Sequence, residues 1–488
     1  MTATLEPTAA RRSAWRVATA APWPALCLAA LAAVALAGFL AFPTYPNYDS
    51  YYSLLWGSEA VHGTLPSFEA YRAATPHPLA IALGALLAPL GGGADRLLVG
   101  ATIASFVALA AGVYRFARVS YTRLVGLVAA ALLCSRFDLP FLAARAYIDI
   151  PYLALVVWAA ALEAARPRRG TPVFVLLAGA GLLRPEAWVL AALYWLWCAV
   201  PATWGERVRF AALCAIGPVV WSAVDLVVTG NPLFSLTHTS GLAEELGRAR
   251  GAGDVPAATV AILKGLDKAP VLYAGVAGLA LAVTLFPRRS RVAVALLLAG
   301  LATFAMVGLA GLSVISRYLL VPAIVVLVFA AVAAGGWTML RPGSRIRTAW
   351  TAVAALAVVG AVAFTATHVN LGTFATELRF RSGYHAALRT LLRDPQVAAA
   401  RRCGPVSLPN HKLIPEVRWL TGAGESGVVA RSDATQARRI HRGVAIYALG
   451  DPAFQRYGFD PDPVTVALPM PGFRRVATTR YFSAYVRC

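Results

Sequence analysis

Asp49 stands in "YPNYDSYYSLLWGSEAVHG", ringed by Tyr48, Tyr51 and Tyr52, a few residues after a hydrophobic run. Asp149 stands in "RAYIDIPYLALVVW", at the mouth of another such run. A carboxylate beside low-dielectric surroundings becomes more basic unless it is paired, which suits a general base that takes a proton from a hydroxyl. Each has a plain alternative. Asp49 reads equally as part of a solvated interfacial loop, and Asp149, two residues before Pro151, as a helix cap. Arg184 and Glu186 lie in "LLRPEAWVLAALYWLW", between two short apolar runs, where charge is costly. They either pair locally and close a hairpin, or Arg184 faces an anionic substrate. Arg317, in "SRYLLVPA", can clamp a phosphate in bidentate fashion or snorkel to lipid headgroups. His77, in "TPHPLA", either hydrogen-bonds substrate or caps the short helix it begins. Lys264 and Lys268, in a later loop, add positive charge or are simply solvated.

The elements that hold these residues are membrane helices. The chain has 488 residues, 59% hydrophobic and 14% charged, with a mean hydropathy of +0.64. Apolar runs near the length needed to cross a bilayer recur through its first three quarters. Net charge is +21, with arginines gathered in short tracts between the runs, so orientation in the membrane explains the charge and nucleic acid is not an expected partner. Placing those tracts in the cytoplasm predicts spans near 22–41, 96–114, 123–135, 150–165, 172–184, 187–203, 209–228, 271–286, 292–314, 317–337 and 348–367. The expected class is therefore membrane all-α with about eleven transmembrane helices. Residues 79–90, "LAIALGALLAPL", are too short to cross and read as an interfacial or re-entrant helix on the outer face.

This gives a basic cytoplasmic N-terminus over 1–20 and a membrane domain over 21–367, with outer loops at 42–95 and 229–270. A C-terminal extracytoplasmic α/β domain follows over 368–488. The protein is expected in the plasma membrane, multi-pass, with its first apolar run an uncleaved anchor. In the tail, "GYHAALRTLLRDPQVAAARR" and "HKLIPEVRWLTG" read as helices; "RGVAIYALG", "PVTVALP" and "RYFSAYVRC" read as strands. Cys27, Cys134, Cys198 and Cys214 fall in spans as small hydrophobes. Cys403 and Cys488 both fall in the outer tail, where a disulfide is expected and two free thiols are the alternative. No Cys/His spacing suggests a metal site, and no phosphate loop, dinucleotide motif or Ser/His/Asp pattern is present.

The first-loop Asp49, the "HPL" opening a short apolar helix, the second acid in "RAYIDIPYLAL", "LLRPEAW" between short spans and the late "SRYLLVPA" resemble, in that order, the GT-C superfamily. Its members are multispan glycosyltransferases that use lipid-phosphate-linked sugars, among them protein O-mannosyltransferases and lipid A aminoarabinose transferases. The resemblance covers about residues 20–340. It implies inverting transfer from a polyprenyl-phosphate sugar, mannose or another hexose or pentose, to an acceptor hydroxyl on a glycan, lipid or protein at the outer face. By that resemblance Asp49 is the base, and Asp149 a second acid that orients acceptor or base. Arg184 and Arg317 hold the lipid phosphate. The residues themselves add His77, Glu186 and Lys264 as candidates around the substrate, and Tyr52 among the loop aromatics on which a sugar can stack. Ser50 follows Asp49 where a second acid is common, so the paired-acid metal site of the family is incomplete in this loop; no cofactor is expected to be required, with a divalent metal as the alternative. The rival readings are a transporter or flippase of envelope glycoconjugates and a non-catalytic sensor.

Overall fold

The computed structural model describes residues 23–245, 253, 255–310, 314–368, 371–457 and 469–488. The N-terminal segment expected in the cytoplasm lies outside them. Helix α1 (Trp23–Ala41) is apolar on every side and buries none of its residues, as a helix bathed in lipid does. Helix α2 (Tyr48–Val61) begins where the Asn47 side chain accepts from Ser50 N, and this cap sets Asp49 in the first turn, where the helix dipole favours an anion. After a loop come α3 (Pro78–Leu87), a tight turn in which Gly91 has φ 56°, and α4 (Ala94–Ser120). Helix α5 (Arg123–Ser135) is bent by 64° from α6 (Asp138–Ala144). Then follow α7 (Asp149–Ala165), α8 (Thr171–Gly181), α9 (Glu186–Ala199), α10 (Trp204–Thr229) and α11 (Phe234–Glu245). Helix α12 (Val255–Leu285) is broken at Lys268 and Pro270; α13 (Pro287–Leu309), a turn at Ser316–Leu319, α14 (Leu320–Gly335) and α15 (Arg345–His368) complete the membrane part.

Each predicted span falls on one of these helices, but the described residues hold seven helices long and apolar enough to cross alone, eight if the bent pair counts as one span. Helices α7, α8 and α9, at 17, 11 and 14 residues, are shorter than a hydrocarbon core requires. The segment expected to lie apart at 79–90 forms α3, and it joins α4 in one apolar run, Pro78–Ser120.

Close backbone approach fixes the site-bearing helices. A Cβ on Gly57 of α2 would lie 2.2 Å from Ala85 N, and one on Gly84 of α3 would lie 2.3 Å from Ser53 O. Glycine is required at both positions for α2 and α3 to touch. The buried α14 lies at the centre, packed with α4, α5, α7, α12 and α13 in one core.

The C-terminal part has a second core. It runs α16 (Leu371–Arg393), α17 (Pro395–Ala400), β1 (Val406–Leu408), α18 (Ile414–Thr421), β2 (Val428–Ala430), α19 (Ala434–Ala437), β3 (Gly443–Ala448), α20 (Asp451–Tyr457), β4 (Arg474–Thr478) and β5 (Phe482–Arg487). The strands form one sheet in the order β2-β1-β3-β5-β4, parallel across the first three and antiparallel across the last three. β3 and β5 match the predicted strands, and the predicted "PVTVALP" strand falls almost wholly outside the described residues. β1 and β2 escape sequence reading because three residues carry no periodicity, and β4 because its faces are mostly solvated. A disulfide joins Cys403 to Cys488 across 85 residues, with Cα atoms 5.5 Å apart. This part sits on the first loop: buried Arg418 of α18 donates to Glu59 Oε1 at 2.7 Å and to Ser67 Oγ at 3.1 Å.

Candidate active site

Four separated segments converge beside the end of α2. Arg317 Nη1 donates to Asp49 Oδ2 at 3.0 Å, both side chains being partly exposed. Behind them Arg184 is buried between two acids: Nη1 donates to Asp149 Oδ1 at 2.5 Å, and Nε and Nη2 to Glu186 Oε1 at 3.1 and 2.8 Å. The local pair of Arg184 and Glu186 therefore exists, but Asp149, from α7, makes it a triad. Asp149 is the first residue of α7 and does not cap it; the cap position belongs to Ile148. Tyrosine faces surround both guanidiniums, with Tyr147 at 5.2 Å from Arg317 and Tyr318 and Tyr152 at 5.5 and 5.8 Å from Arg184.

His77 occupies the cap position of α3 without making a side-chain cap bond. Its ring meets Trp221 edge-on, and burial first, then the Arg184 charge, push its pKa down to about 4, so the ring is neutral near pH 7. Its Nδ1, together with Asp149 Oδ2 and Glu186 Oε2, is buried without a hydrogen-bond partner among the described residues. Buried polar atoms left unmatched in this way call for an ordered water or a polar ligand.

A crevice lined by Tyr152, Glu186, Leu190, Thr303, Arg317 and Tyr318 opens from the charged cluster. Leu190 also lines a larger apolar groove of about 700 Å³ between α7, α8, α9 and α13, which ends at Arg288, Arg289 and Arg291. On the other side, Tyr48 and Tyr147 line a polar cavity of about 320 Å³ under the C-terminal part.

No family model matches the chain, and no curated protein sequence is similar to it. Solved structures are. ArnT from Cupriavidus metallidurans, in a crystal structure bound to undecaprenyl phosphate, superposes with a TM-score of 0.55 at 14% identity, over 96% of this chain and 98% of ArnT. The Archaeoglobus fulgidus oligosaccharyltransferase in its apo form gives a TM-score of 0.52 at 10% identity, over 88% of this chain and 70% of that one. The chain has the GT-C fold.

On this GT-C scaffold the structure brings together Asp49, Asp149, Arg184, Glu186, Arg317 and His77, six residues singled out in the sequence. Two others stand apart. Tyr52 is fully buried between Tyr48 and Trp56, with burial pushing its hydroxyl up to about 12, so its ring builds the wall and offers no face to a sugar. Lys264 is exposed on α12, and no hydrogen bond or ion pair among the described residues joins it to the cluster. Tyr147 and Tyr318 were missed as site residues although they adjoin Asp149 and Arg317 in the quoted motifs; aromatic neighbours of a charge were the available signal.

A divalent metal does not fit these residues. Among the described residues no group of three His, Cys, Asp or Glu could hold one. Asp49 is engaged by Arg317, and Ser50 turns its hydroxyl away to Ala146 O at 2.6 Å.

Proposed function

We propose that the protein is a glycosyltransferase that moves a sugar from a polyprenyl-phosphate donor to an acceptor hydroxyl at the outer face of the cytoplasmic membrane. The observation that carries this reading is the convergence of Asp49–Arg317 and the Arg184 triad on one place in a GT-C fold, beside an apolar groove. The ArnT structure that superposes over nearly the whole chain holds undecaprenyl phosphate, which supports the same class of donor here. The groove between α7, α8, α9 and α13 suits the polyprenyl tail, since its lining is mostly apolar and it shares Leu190 with the crevice at the charged cluster.

Each residue then has a task. The acceptor hydroxyl gives its proton to Asp49 as its oxygen attacks the anomeric carbon from the face opposite the phosphate, inverting it. The bond from anomeric carbon to phosphate oxygen breaks, and its electron pair leaves with the lipid phosphate. Arg317, the more exposed cation, meets the negative charge that builds there. Arg184 acts behind it as a buried positive charge, oriented by Asp149 and Glu186, which makes Asp149 a positioning residue in this scheme. Mannose is one sugar of the hexose and pentose class this site suits. A multi-pass membrane part, with the N-terminus inside and residues 368–488 outside, completes the reading.

The test is sugar release from a purified polyprenyl-phosphate sugar donor. Asp49→Asn lowers turnover by at least about a hundredfold, as loss of a general base does, while donor affinity stays within about threefold. Full turnover in that variant would remove Asp49 from its role. Transport without sugar release would instead favour a flippase.

A further inference from the structure

The groove between α7, α8, α9 and α13 has two unlike ends. Leu190 marks the end near the charged cluster, where α7 begins with Asp149 and α9 with Glu186. At the other end lie the last turns of α7 and α9 and the start of α13. The 17 residues of α7 span about 25 Å at the rise of an α-helix, close to the thickness of the hydrocarbon core. The two ends therefore belong to opposite leaflets.

The end away from the cluster has the parts of a headgroup site. Arg288, Arg289 and Arg291 of α13 line it, each exposed. Arg289 Nη1 donates to Tyr121 O at 3.3 Å, which holds this side chain beside the end of α4. Ser120, the last residue of α4, lines the same end and is 4% exposed. Its hydroxyl is buried without a hydrogen-bond partner among the described residues, and a buried polar atom of that kind calls for one. Tyr194 and Trp197 of α9 complete the rim, and rings of these two types settle at the level of lipid headgroups. Glu163, the only acid lining the groove among the described residues, is tied down by four donors. Tyr194 Oη and Trp197 Nε1 donate to it at 2.9 Å each, and the backbone N–H groups of Arg168 and Arg169 at 2.9 and 3.3 Å.

Retention of a loop on one side of the membrane calls for basic residues near a span but chooses no face for them. Here three guanidiniums, an unmatched hydroxyl and two interfacial aromatics meet at the mouth of a mostly apolar groove. A phosphate that carries hydrocarbon chains matches both parts, with charge at the rim and apolar surface below it.

We infer that this end binds an anionic phospholipid of the leaflet opposite the charged cluster. Its phosphate is held by Arg288, Arg289, Arg291 and the Ser120 hydroxyl. Its acyl chains lie in the groove, end to end with the donor tail that enters past Leu190. The site goes beyond the transferase reading, and its test does not use sugar transfer.

The experiment is native mass spectrometry of the full chain, delipidated in detergent and titrated with phosphatidylglycerol or with phosphatidylcholine of the same acyl chains. Phosphatidylglycerol binds its first site at least about tenfold more tightly, as cations gathered at a headgroup demand. Arg289→Gln/Arg291→Gln brings the two lipids to within about threefold of each other, with the thermal midpoint of the lipid-free protein unchanged. Ala295→Phe keeps every charge and fills part of the groove, and lowers phosphatidylglycerol affinity at least about tenfold. Equal affinities in the wild type, or a preference that survives the double variant, overturn the inference. Displacement of the lipid by about 10 mM sn-glycerol 3-phosphate would reveal a site for free phosphate and overturn it as well. Should the double variant fail to fold, Ala295→Phe decides alone, since unchanged affinity there means that no acyl chain lies in the groove.

Discussion

Removing Arg184 leaves Asp149 and Glu186 facing each other with both carboxylates almost wholly out of water. Arg184→Gln should therefore cost about 3–5 kcal/mol of stability, the usual penalty for orphaning buried charge. A lowered thermal midpoint in detergent would show it. Asp149→Asn/Arg184→Gln should recover part of that loss, because the second change removes one of the stranded anions. Strict additivity of the two single effects would mean that the 2.5 Å pair contributes no coupling. The same geometry explains why sequence reading singled out these residues and left their pairing open. Charge within apolar runs is rare enough to be noticed, but which acid meets the solvent and which is locked under an arginine is invisible in one dimension. Tyr52 shows the same limit, since a tyrosine beside Asp49 looks like a sugar platform until α2 rolls its ring into the core.

At the scale of elements, α2 carries Asp49, the proposed base, and α2 is held by α3 through Gly57 and Gly84. Gly84→Leu should drive side-chain atoms into the Ser53 carbonyl and push the helices apart. The expected result is a fall in turnover of at least about tenfold, through displaced geometry at Asp49. A stability loss of about 1–3 kcal/mol, typical of overpacking, should accompany it. Comparing the initial rate of sugar release with the thermal midpoint separates the two effects. Wild-type turnover would mean that α2 keeps its place without this contact. The spacing of apolar runs made most helices legible, since period and length are local properties. The bend between α5 and α6, the break in α12 and the short strands β1 and β2 were not legible, because partners distant in sequence set them. Asp267 beside the α12 break, for example, is held by Arg136 at 2.8 Å.

For the whole molecule, the disulfide and the seat of the C-terminal part on the first loop matter most. Cys403 and Cys488 close a long loop, and Cys403→Ser/Cys488→Ser should lower the stability of that part by about 2–4 kcal/mol. Thiol labelling of the folded wild type should leave both cysteines unmodified until reductant is added; prompt labelling of both would contradict the bridge. The sequence by itself determined a polytopic membrane chain, the helices at the predicted spans, and the short list of charges worth attention. Hydrophobic period, arginine placement and the cost of charge in lipid are written residue by residue. Only the tertiary structure decided that Asp49 meets Arg317 and that Arg184 is shared by two acids. Only it decided that a polar cavity forms under the C-terminal part. Each of these joins segments tens to hundreds of residues apart, and packing of whole helices, which no local pattern encodes, brings them together.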